Sequence, residues 1–272
     1  MNPKSSFHEK LVEIEMKVVI FAGGLGTRMG SDTSMVPKPM LQIGKEPLLW
    51  HVMQRYSKFG FKEFIICLGY QGQTIRDYFL NYQRNHGDIV VDIGNGVVEL
   101  LTQCDEDWKV TLVDTGETTS TAGRLRRVKQ YIEGSTFFLT YGDGLTDLDL
   151  MKELEFHNSH GATATVLAVP SPSRFGELEI NPNNPSEVVV FAEKPSAGQH
   201  LINGGYFILN TSVFELSLTD TESWEEGPLR KLAEIGQLKS FKHVGFWQPC
   251  DTPSERKSLE TLLLSGSAPW LK

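Results

Sequence analysis

The chain has 272 residues, with a hydrophobic fraction of 40%, a charged fraction of 22% and a formal net charge of −8 at pH 7. These values are typical of a globular protein, and the acidic balance argues against nucleic acid as a partner, because its binders carry a clustered basic face. No apolar run is long enough to cross a bilayer, and residues 1–15 lack the apolar core of a secretory signal. We therefore expect a cytoplasmic protein without a membrane partner.

Cysteine usage agrees with this expectation. The chain has three cysteines, Cys67, Cys104 and Cys250. This odd number, the wide separation and the lack of a Cys-x-x-Cys pair are all visible in the sequence. This pattern favours free thiols in a reducing compartment over a disulfide framework or a zinc site.

The amino-terminal part divides into a short extension and the start of a folded domain. Residues 1–15 are polar and mixed in charge, so they are predicted to be an extension that is either flexible or a short helix. A single domain is predicted over residues 16–272. It begins with an apolar, β-branched run at 18–21, the pattern of a buried strand.

That strand passes directly into a glycine-rich loop. Such a loop presents backbone N–H groups to an anion, and a phosphate chain is the expected ligand. The spacing is one residue too long for the dinucleotide fingerprint, and no Gly-Lys-Ser/Thr follows to make a triphosphate P-loop. The alternative is a tight turn whose glycines only permit positive φ. The loop consists of Ala22, Gly23, Gly24, Leu25, Gly26, Thr27 and Arg28.

Lys38 lies between Pro37 and Pro39, shortly after the loop. The prolines are predicted to hold Lys38 in an extended segment, from which its ammonium can reach the same phosphates. The alternative is a solvated surface lysine.

The remaining apolar patterns alternate between helices and strands. This alternation predicts an α/β fold with a mostly parallel sheet, helices on both faces and a smaller β-rich elaboration in the second half. Strands are predicted at 64–68, within 86–101, and at 110–114, 137–141, 162–169, 177–180, 188–192, 202–209 and 239–243, and helices at 47–59, 74–82, 121–132, 150–160, 228–235 and 253–264.

Polar and glycine-rich stretches follow several of these strands. Residues 115–124 are small and polar and allow close approach to a flat ring, or else form a plain loop with a helix cap. Asp143, flanked by Gly142 and Gly144, follows a strand where open α/β sheets place their ligands.

Other polar side chains in this part of the sequence are predicted to be structural. Asp147 and Asp149 are predicted to cap the next helix, and His157 and His160 to complement its dipole, since no third metal ligand is near.

The second half supplies further candidates. Glu193 and Lys194 precede a proline, and Asn203, Gly204 and Gly205 lie in a strand. Asn203 is suited to bonding a sugar hydroxyl beside glycines that leave room for a ring, and a β-bulge is the alternative. Lysines, arginines, isolated aspartates and glycine turns, without a nucleophilic triad, suit phosphoryl or nucleotidyl transfer. Asp143 and Asp251 are the predicted Mg²⁺ ligands.

In this order along the chain, these motifs resemble the sugar-1-phosphate nucleotidylyltransferases, over essentially all of residues 16–270. Other stretches, including 108–116, 173–176 and 245–249, resemble the members that use CTP and glucose 1-phosphate for deoxysugar and surface-polysaccharide pathways. The resemblance implies a Rossmann-like nucleotide-diphospho-sugar transferase fold and a homo-oligomer. The family often has Lys-Pro-Lys-Pro where this chain has Val36-Pro37-Lys38-Pro39, and the extension at 1–15 is extra.

The resemblance also implies a role for each site residue. Residues 22–28 would hold the triphosphate, with Arg28 on the part that leaves as pyrophosphate and Lys38 on the α-phosphate. Thr119, Gly123 and Arg124 would contact base and ribose, Asp143 and Asp251 would bind Mg²⁺, and Lys194 would hold the sugar phosphate. Glu193 and Asn203 to Gly205 would bind sugar hydroxyls.

Two alternatives to this reaction stay open. The same chemistry could use UTP or dTTP, or another sugar or polyol phosphate. The protein could also be a non-catalytic nucleotide-sugar sensor. Such a sensor would be expected to lack a metal aspartate or the phosphate lysine, whereas this chain has Asp143, Asp251, Lys38 and Lys194.

Overall fold

The computed structural model describes residues 16–24, 36–171, 177–180, 184, 186–192 and 200–272. The strands are β1 (Lys17–Phe21), β2 (Gln42–Ile43), β3 (Glu46–Pro47), β4 (Glu63–Leu68), β5 (Ile89–Asp92), β6 (Val97–Leu100), β7 (Lys109–Asp114), β8 (Thr136–Tyr141), β9 (Gly144–Thr146), β10 (Ala164–Pro170), β11 (Glu177–Ile180), β12 (Val188–Ala192), β13 (Leu201–Asn210), β14 (Leu238–Lys242) and β15 (Trp247–Pro249). The α-helices are α1 (Leu48–Ser57), α2 (Gly72–Leu80), α3 (Tyr82–His86), α4 (Thr121–Val128), α5 (Leu150–His160), α6 (Arg230–Glu234) and α7 (Pro253–Leu264).

A seven-stranded sheet with the order β14-β10-β13-β8-β1-β4-β7 forms the centre of the molecule. Strand β1 pairs in parallel with β4 and β8, β4 with β7, and β10 with β14. Only β13 runs antiparallel to its neighbours β8 and β10 within this sheet as described. The predicted mostly parallel α/β sheet is confirmed.

Strand β1 shows why both faces of the sheet are covered. All five of its residues are buried, and the side chains of the four apolar ones alternate between two hydrophobic cores. Val18 and Ile20 pack in the core that contains α1, whereas Val19 and Phe21 pack in the core that contains α4. A strand buried on both faces reads as an unbroken apolar run, which is the pattern at 18–21.

Most predicted elements are confirmed, and α5 and α7 have the predicted bounds. The helix predicted at 74–82 is instead two helices, α2 and α3, because the chain bends at Asn81. Helix α4 ends at Val128, before Ile132, in a 3-10 turn (Lys129–Tyr131). Before α6, Pro228 lies in a π-helical turn (Glu225–Leu229), since proline has no N–H to donate to a regular helical ladder.

The polar residues around α5 have structural partners. Asp149 caps the helix by accepting from the Lys152 N–H at 3.1 Å, as predicted. Asp147 does not cap it, because its carboxylate lies 3.0 Å from His243 Nε2. His157 and His160 both contact the Thr165 hydroxyl at 2.8 Å, and burial lowers the pKa of each. They therefore join helix to strand as neutral side chains, and the predicted charge complement to the helix dipole is not their role.

A separate hairpin, β5–β6, projects from the side of the sheet. Its strands confirm the extended structure predicted within 86–101, and every residue of both strands is exposed. Within the described ranges, the helices are all too short or too polar to span a membrane.

Candidate active site

The candidate active site is a cleft at the carboxyl ends of β1, β7 and β8. Its volume is about 760 Å³. Parallel strands direct their carboxyl ends to one edge of a sheet, so the segments that follow these three strands meet there. The lining residues are Phe21, Ala22, Gly23, Gly24, Lys38, Pro39, Glu117, Thr118, Thr119, Ser120, Thr121, Arg124, Tyr141, Gly142, Asp143, Thr221 and Asp251.

The start of the glycine loop is held by backbone hydrogen bonds on both sides. The Ala22 N–H donates to the Cys67 carbonyl at 3.1 Å, and the Gly142 N–H donates to the Phe21 carbonyl at 3.1 Å. A Cβ at position 23 would lie 2.4 Å from Arg124 Nη1, so any side chain there would displace the Arg124 guanidinium. The loop therefore enters the cleft in a fixed direction.

Lys38 reaches the cleft from a turn, not from the extended segment that was predicted. The extended residue is Pro37, and Lys38 opens a 3-10 turn (Lys38–Met40) in which the Met40 N–H donates to the Pro37 carbonyl at 2.8 Å. Proline's fixed φ suits the first positions of such a turn. Lys38 is only 9% exposed, which excludes the solvated surface alternative.

The ammonium of Lys38 lies between the two predicted metal ligands. Its Nζ is 2.7 Å from Asp143 Oδ2 and 2.5 Å from Asp251 Oδ1. Burial alone would lower the pKa of Lys38, but the two carboxylates raise it above its ordinary value. Lys38 is therefore a charged, buried lysine, and the two aspartates converge on one position.

Backbone contacts bring these aspartates together from distant parts of the chain. The loop carrying Asp143 leads into β9, which pairs with β15, and the Cys250 N–H donates to the Asp143 carbonyl at 2.9 Å. The Tyr206 hydroxyl donates to the Gly144 carbonyl at 2.7 Å. Asp251 directly precedes Thr252, whose capping box with Glu255 begins α7.

The donor set at this position suits a hard divalent cation. Two carboxylates already share one cationic group, and Mg²⁺ characteristically takes one or two carboxylates together with phosphate oxygens. Groups of three or more His, Cys, Asp or Glu side chains that could hold a metal do not occur in the part of the chain that the structure describes. Water molecules and substrate oxygens would complete the coordination of such a cation.

Arg124 is the organising side chain on the opposite side of the cleft. It is 4% exposed and donates to the carbonyls of Leu68 (2.9 Å) and Gly23 (3.1 Å) and to the Thr115 hydroxyl (2.7 Å). Burial lowers the pKa of its guanidinium. Because these donors are used by the protein, Arg124 ties the glycine loop to the segment 115–124 that follows β7.

A family model described as nucleotidyl transferase matches residues 17–239, which is most of the chain. The chain belongs to the nucleotidyl transferase family. It is 47% identical to the glucose-1-phosphate cytidylyltransferase of Salmonella typhimurium over 256 residues, covering 94% of this chain and 98% of the relative. It is 40% identical to the probable glucose-1-phosphate cytidylyltransferase of Bacillus subtilis, covering 94% and 99%.

Solved structures agree with the fold. HddC from Yersinia pseudotuberculosis complexed with GMP-PN has a TM-score of 0.64 and 26% identity, covering 91% of this chain and 99% of that chain. The predicted resemblance to the sugar-1-phosphate nucleotidylyltransferases is thus confirmed, as is the mixed α/β fold of this nucleotidyl transferase.

The structure does not bring every predicted site residue of this nucleotidyl transferase into the cleft. Thr119 and Arg124 line it, but Gly123 does not, and a Cβ there would lie 2.6 Å from the Asp220 Cα. Gly123 therefore packs closely against the segment that carries Asp220, and its contact with the nucleotide stays a prediction. Six predicted residues lie outside the described residues: Leu25, Gly26, Thr27, Arg28, Glu193 and Lys194.

The glycines of β13 form the β-bulge that the sequence left open as an alternative. The β10–β13 register shifts between Val166 and Ala168, opposite the glycine pair. Gly205 has φ of 76°, and its N–H donates to the Asn203 side chain at 2.8 Å. Asn203, Gly204 and Gly205 are absent from the cleft lining as described, but the Thr140 hydroxyl, on β8, bonds the Gly205 carbonyl at 3.1 Å. Their contact with a sugar stays a prediction.

Sequence reasoning did not assign several of the lining residues to the site, among them Tyr141 and Thr221. Tyr141 ends β8 directly before Gly142, so its position beside the predicted metal ligand was a usable signal. Thr221 carries no local signal, because long-range pairing alone brings it to the cleft.

Proposed function

We propose that this nucleotidyl transferase joins CTP and α-D-glucose 1-phosphate to give CDP-glucose and pyrophosphate. The observation that carries the proposal is the convergence of Asp143 and Asp251 on Lys38, beside the glycine loop, in one cleft. The names of the relatives that are 47% and 40% identical supply the choice of nucleotide and sugar phosphate.

The reaction balances without a general base. An oxygen of the sugar phosphate, already anionic, forms a bond to the α-phosphorus of CTP, and the bond between the α-phosphorus and its bridging oxygen to the β-phosphate breaks. Pyrophosphate leaves with the electron pair. The protein's task is then to position the reactants and to neutralise charge.

Asp143 and Asp251 would hold Mg²⁺, which when bound supplies charge that stabilises the departing pyrophosphate. With the aspartates serving as metal ligands, Lys38 would lose both of its present partners, and its charge would be available to the α-phosphate. The backbone of residues 22–24 contributes the first part of the triphosphate cradle. Arg28, Lys194 and Glu193 keep their predicted roles on triphosphate, sugar phosphate and sugar hydroxyls.

Pyrophosphate release from purified protein tests the proposal. The assay contains Mg²⁺ and α-D-glucose 1-phosphate, with CTP, UTP, dTTP, ATP and GTP compared side by side. We expect strong preference for CTP. Preference for another nucleotide would contradict the proposed substrate, and no release with any nucleotide or sugar phosphate would contradict nucleotidyl transfer itself.

Asp143→Asn tests the metal site, with Asp105→Asn as the matched control because Asp105 is exposed. Loss of a metal ligand at constant volume should lower kcat by about 100-fold or more, while the control stays at the wild-type rate. Near-normal turnover of Asp143→Asn at saturating Mg²⁺ would refute the assignment.

We also propose that the protein is a cytoplasmic homo-oligomer. The cytoplasmic location is supported by the three cysteines, which are free thiols. The β5–β6 hairpin exposes apolar side chains on both strands, among them Val91 (48%) and Val97 (56%). Such a patch is typical of an interaction surface. Val97→Asp should shift the molar mass measured by light scattering towards the monomer, whereas Lys152→Asp, on the exposed side of α5, should not. An unchanged mass in Val97→Asp would contradict the proposal.

A further inference from the structure

The segment 220–225, which the proposed reaction does not yet use, contributes Thr221 to the lining of the cleft. Thr221 lines the cleft together with Thr119, Ser120 and Thr121. These three precede or begin α4, in the segment assigned above to the nucleotide. A residue distant in sequence therefore shares the surface of the nucleotide segment.

The backbone of the 220–225 segment caps the start of α4. The Ser120 N–H donates to the Asp220 carbonyl at 2.8 Å, and the Ala122 N–H donates to the Glu222 carbonyl at 3.3 Å. Amides at the first turn of a helix have no partner within the helix, so these bonds satisfy them. The buried Trp224 anchors the segment, and its backbone N–H donates to the Thr121 hydroxyl at 2.7 Å.

The Asp220 side chain extends this attachment along the nucleotide segment. Its two carboxylate oxygens accept from Arg126 and Arg127 at 2.7 Å each, and Arg127 also donates to the Thr115 carbonyl at 2.9 Å. Hydrogen bonds from Arg127 and Arg126 lower the pKa of Asp220, which is therefore charged. All three side chains are more than one-third exposed, so these pairs define position more than they add stability.

Gly123 gives independent support for a close contact between α4 and the 220–225 segment. A Cβ at this position would lie 2.6 Å from the Asp220 Cα and 2.7 Å from the Thr119 side chain. Only a glycine lets the 220–225 segment approach α4 this closely. At its other end the segment reaches β8, where the Tyr141 hydroxyl donates to Glu225.

We propose that Asp220 is a positioning residue for the nucleotide segment 115–124, and that Thr221 is a specificity-determining residue for the nucleoside triphosphate. The inference rests on the proposed function, because it assigns selectivity to the same cleft. Asp220 acts through Arg127 and the backbone of Ser120, whereas Thr221 offers a hydroxyl at the cleft surface itself.

Asp220→Asn and Thr221→Val test the two roles. Their matched controls are Glu234→Gln, which weakens the exposed Lys231–Glu234 pair, and Thr219→Val, whose threonine is exposed and absent from the lining. Michaelis constants are measured for CTP and for glucose 1-phosphate, together with the CTP-to-UTP ratio of kcat/KM. Calorimetric binding of CTP with Mg²⁺, without sugar phosphate, gives a readout that needs no turnover.

We expect Asp220→Asn to raise the KM for CTP about three- to tenfold, the effect of losing one charge-assisted hydrogen bond. The KM for glucose 1-phosphate and the melting temperature should stay near wild type. Thr221→Val should change the CTP-to-UTP ratio about threefold or more. The controls should do neither.

Equal changes in both Michaelis constants would show a merely structural role and overturn the proposal, as would wild-type nucleotide constants in both variants. A wild-type protein without activity would refute the proposed function but not this inference. In that case the Kd for CTP, compared between each variant and the wild type, still tests the roles of Asp220 and Thr221.

Discussion

Glu153 on α5 has a fully buried carboxyl group. Neither of its oxygens has a hydrogen-bond partner among the described residues, and burial raises its pKa to about 8 from an ordinary value of 4.5. The nearby Tyr56 hydroxyl is equally unpaired within the same part of the chain. The folded protein therefore holds Glu153 protonated at neutral pH.

The sign of the pH dependence follows from linkage. Between pH 5.5 and 8 the unfolded chain has already released the proton of Glu153, while the folded protein retains it, so the free energy of unfolding falls as pH rises. One pKa unit corresponds to about 1.4 kcal/mol, which gives a decrease of about 3 kcal/mol across this interval. Glu153→Gln cannot ionise and should abolish this part of the dependence.

Urea unfolding at pH 5.5 and pH 8 measures the effect. The advantage of Glu153→Gln over wild type should increase by about 3 kcal/mol between the two pH values. Glu155→Gln on the same helix is the control, because Glu155 is exposed and should show no such change. Parallel pH profiles for wild type and Glu153→Gln would refute the assignment of a raised pKa to this carboxyl.

Three further changes test other parts of the structure. Arg124→Lys replaces a guanidinium that donates hydrogen bonds to several acceptors around the cleft. We expect its melting temperature to be lower by about 5 °C and its CTP binding to be weaker. An unchanged melting curve would contradict the bridging role of Arg124. Thr252→Ala removes the capping box of α7 and should cost about 1 kcal/mol in urea unfolding, with a higher Mg²⁺ requirement because Asp251 lies next to the cap. Tyr206→Phe removes the hydrogen bond to the carbonyl of Gly144, the residue after Asp143. It should lower kcat about tenfold with little change in the KM for CTP or for glucose 1-phosphate. A change in the KM for glucose 1-phosphate alone would instead indicate direct contact between Tyr206 and the sugar phosphate.

The sheet and helices were largely predictable because their signals are local. The unbroken apolar run at 18–21 identified a strand buried on both faces, and the Asp149 and Pro253 signals identified the starts of α5 and α7. Errors occurred where tertiary contacts override a local pattern. The Asn81 bend and the π-helical turn at Pro228 are two examples.

The site was predictable in its chemistry and less so in its geometry. Residue types at strand ends indicated Lys38, Asp143 and Asp251, which the structure brings together. The sequence did not indicate the packing contact of Gly123, because a glycine in a polar stretch shows the same pattern whether it faces a ligand or a neighbouring chain segment. Its contact, Asp220, is 97 positions away, and no local pattern indicates it.

The pairing of Lys38 with Asp251 also has a consequence for protein synthesis. These residues are 213 positions apart, and Lys38 and Asp143 are separated by 105. A nascent chain that has reached β9 already has its parallel strands β1, β4, β7 and β8 and the first carboxylate, Asp143, but lacks the second. Premature termination before Asp251 would therefore leave the cation site with one of its two carboxylates, so we expect such truncated products to have no nucleotidyl transfer activity.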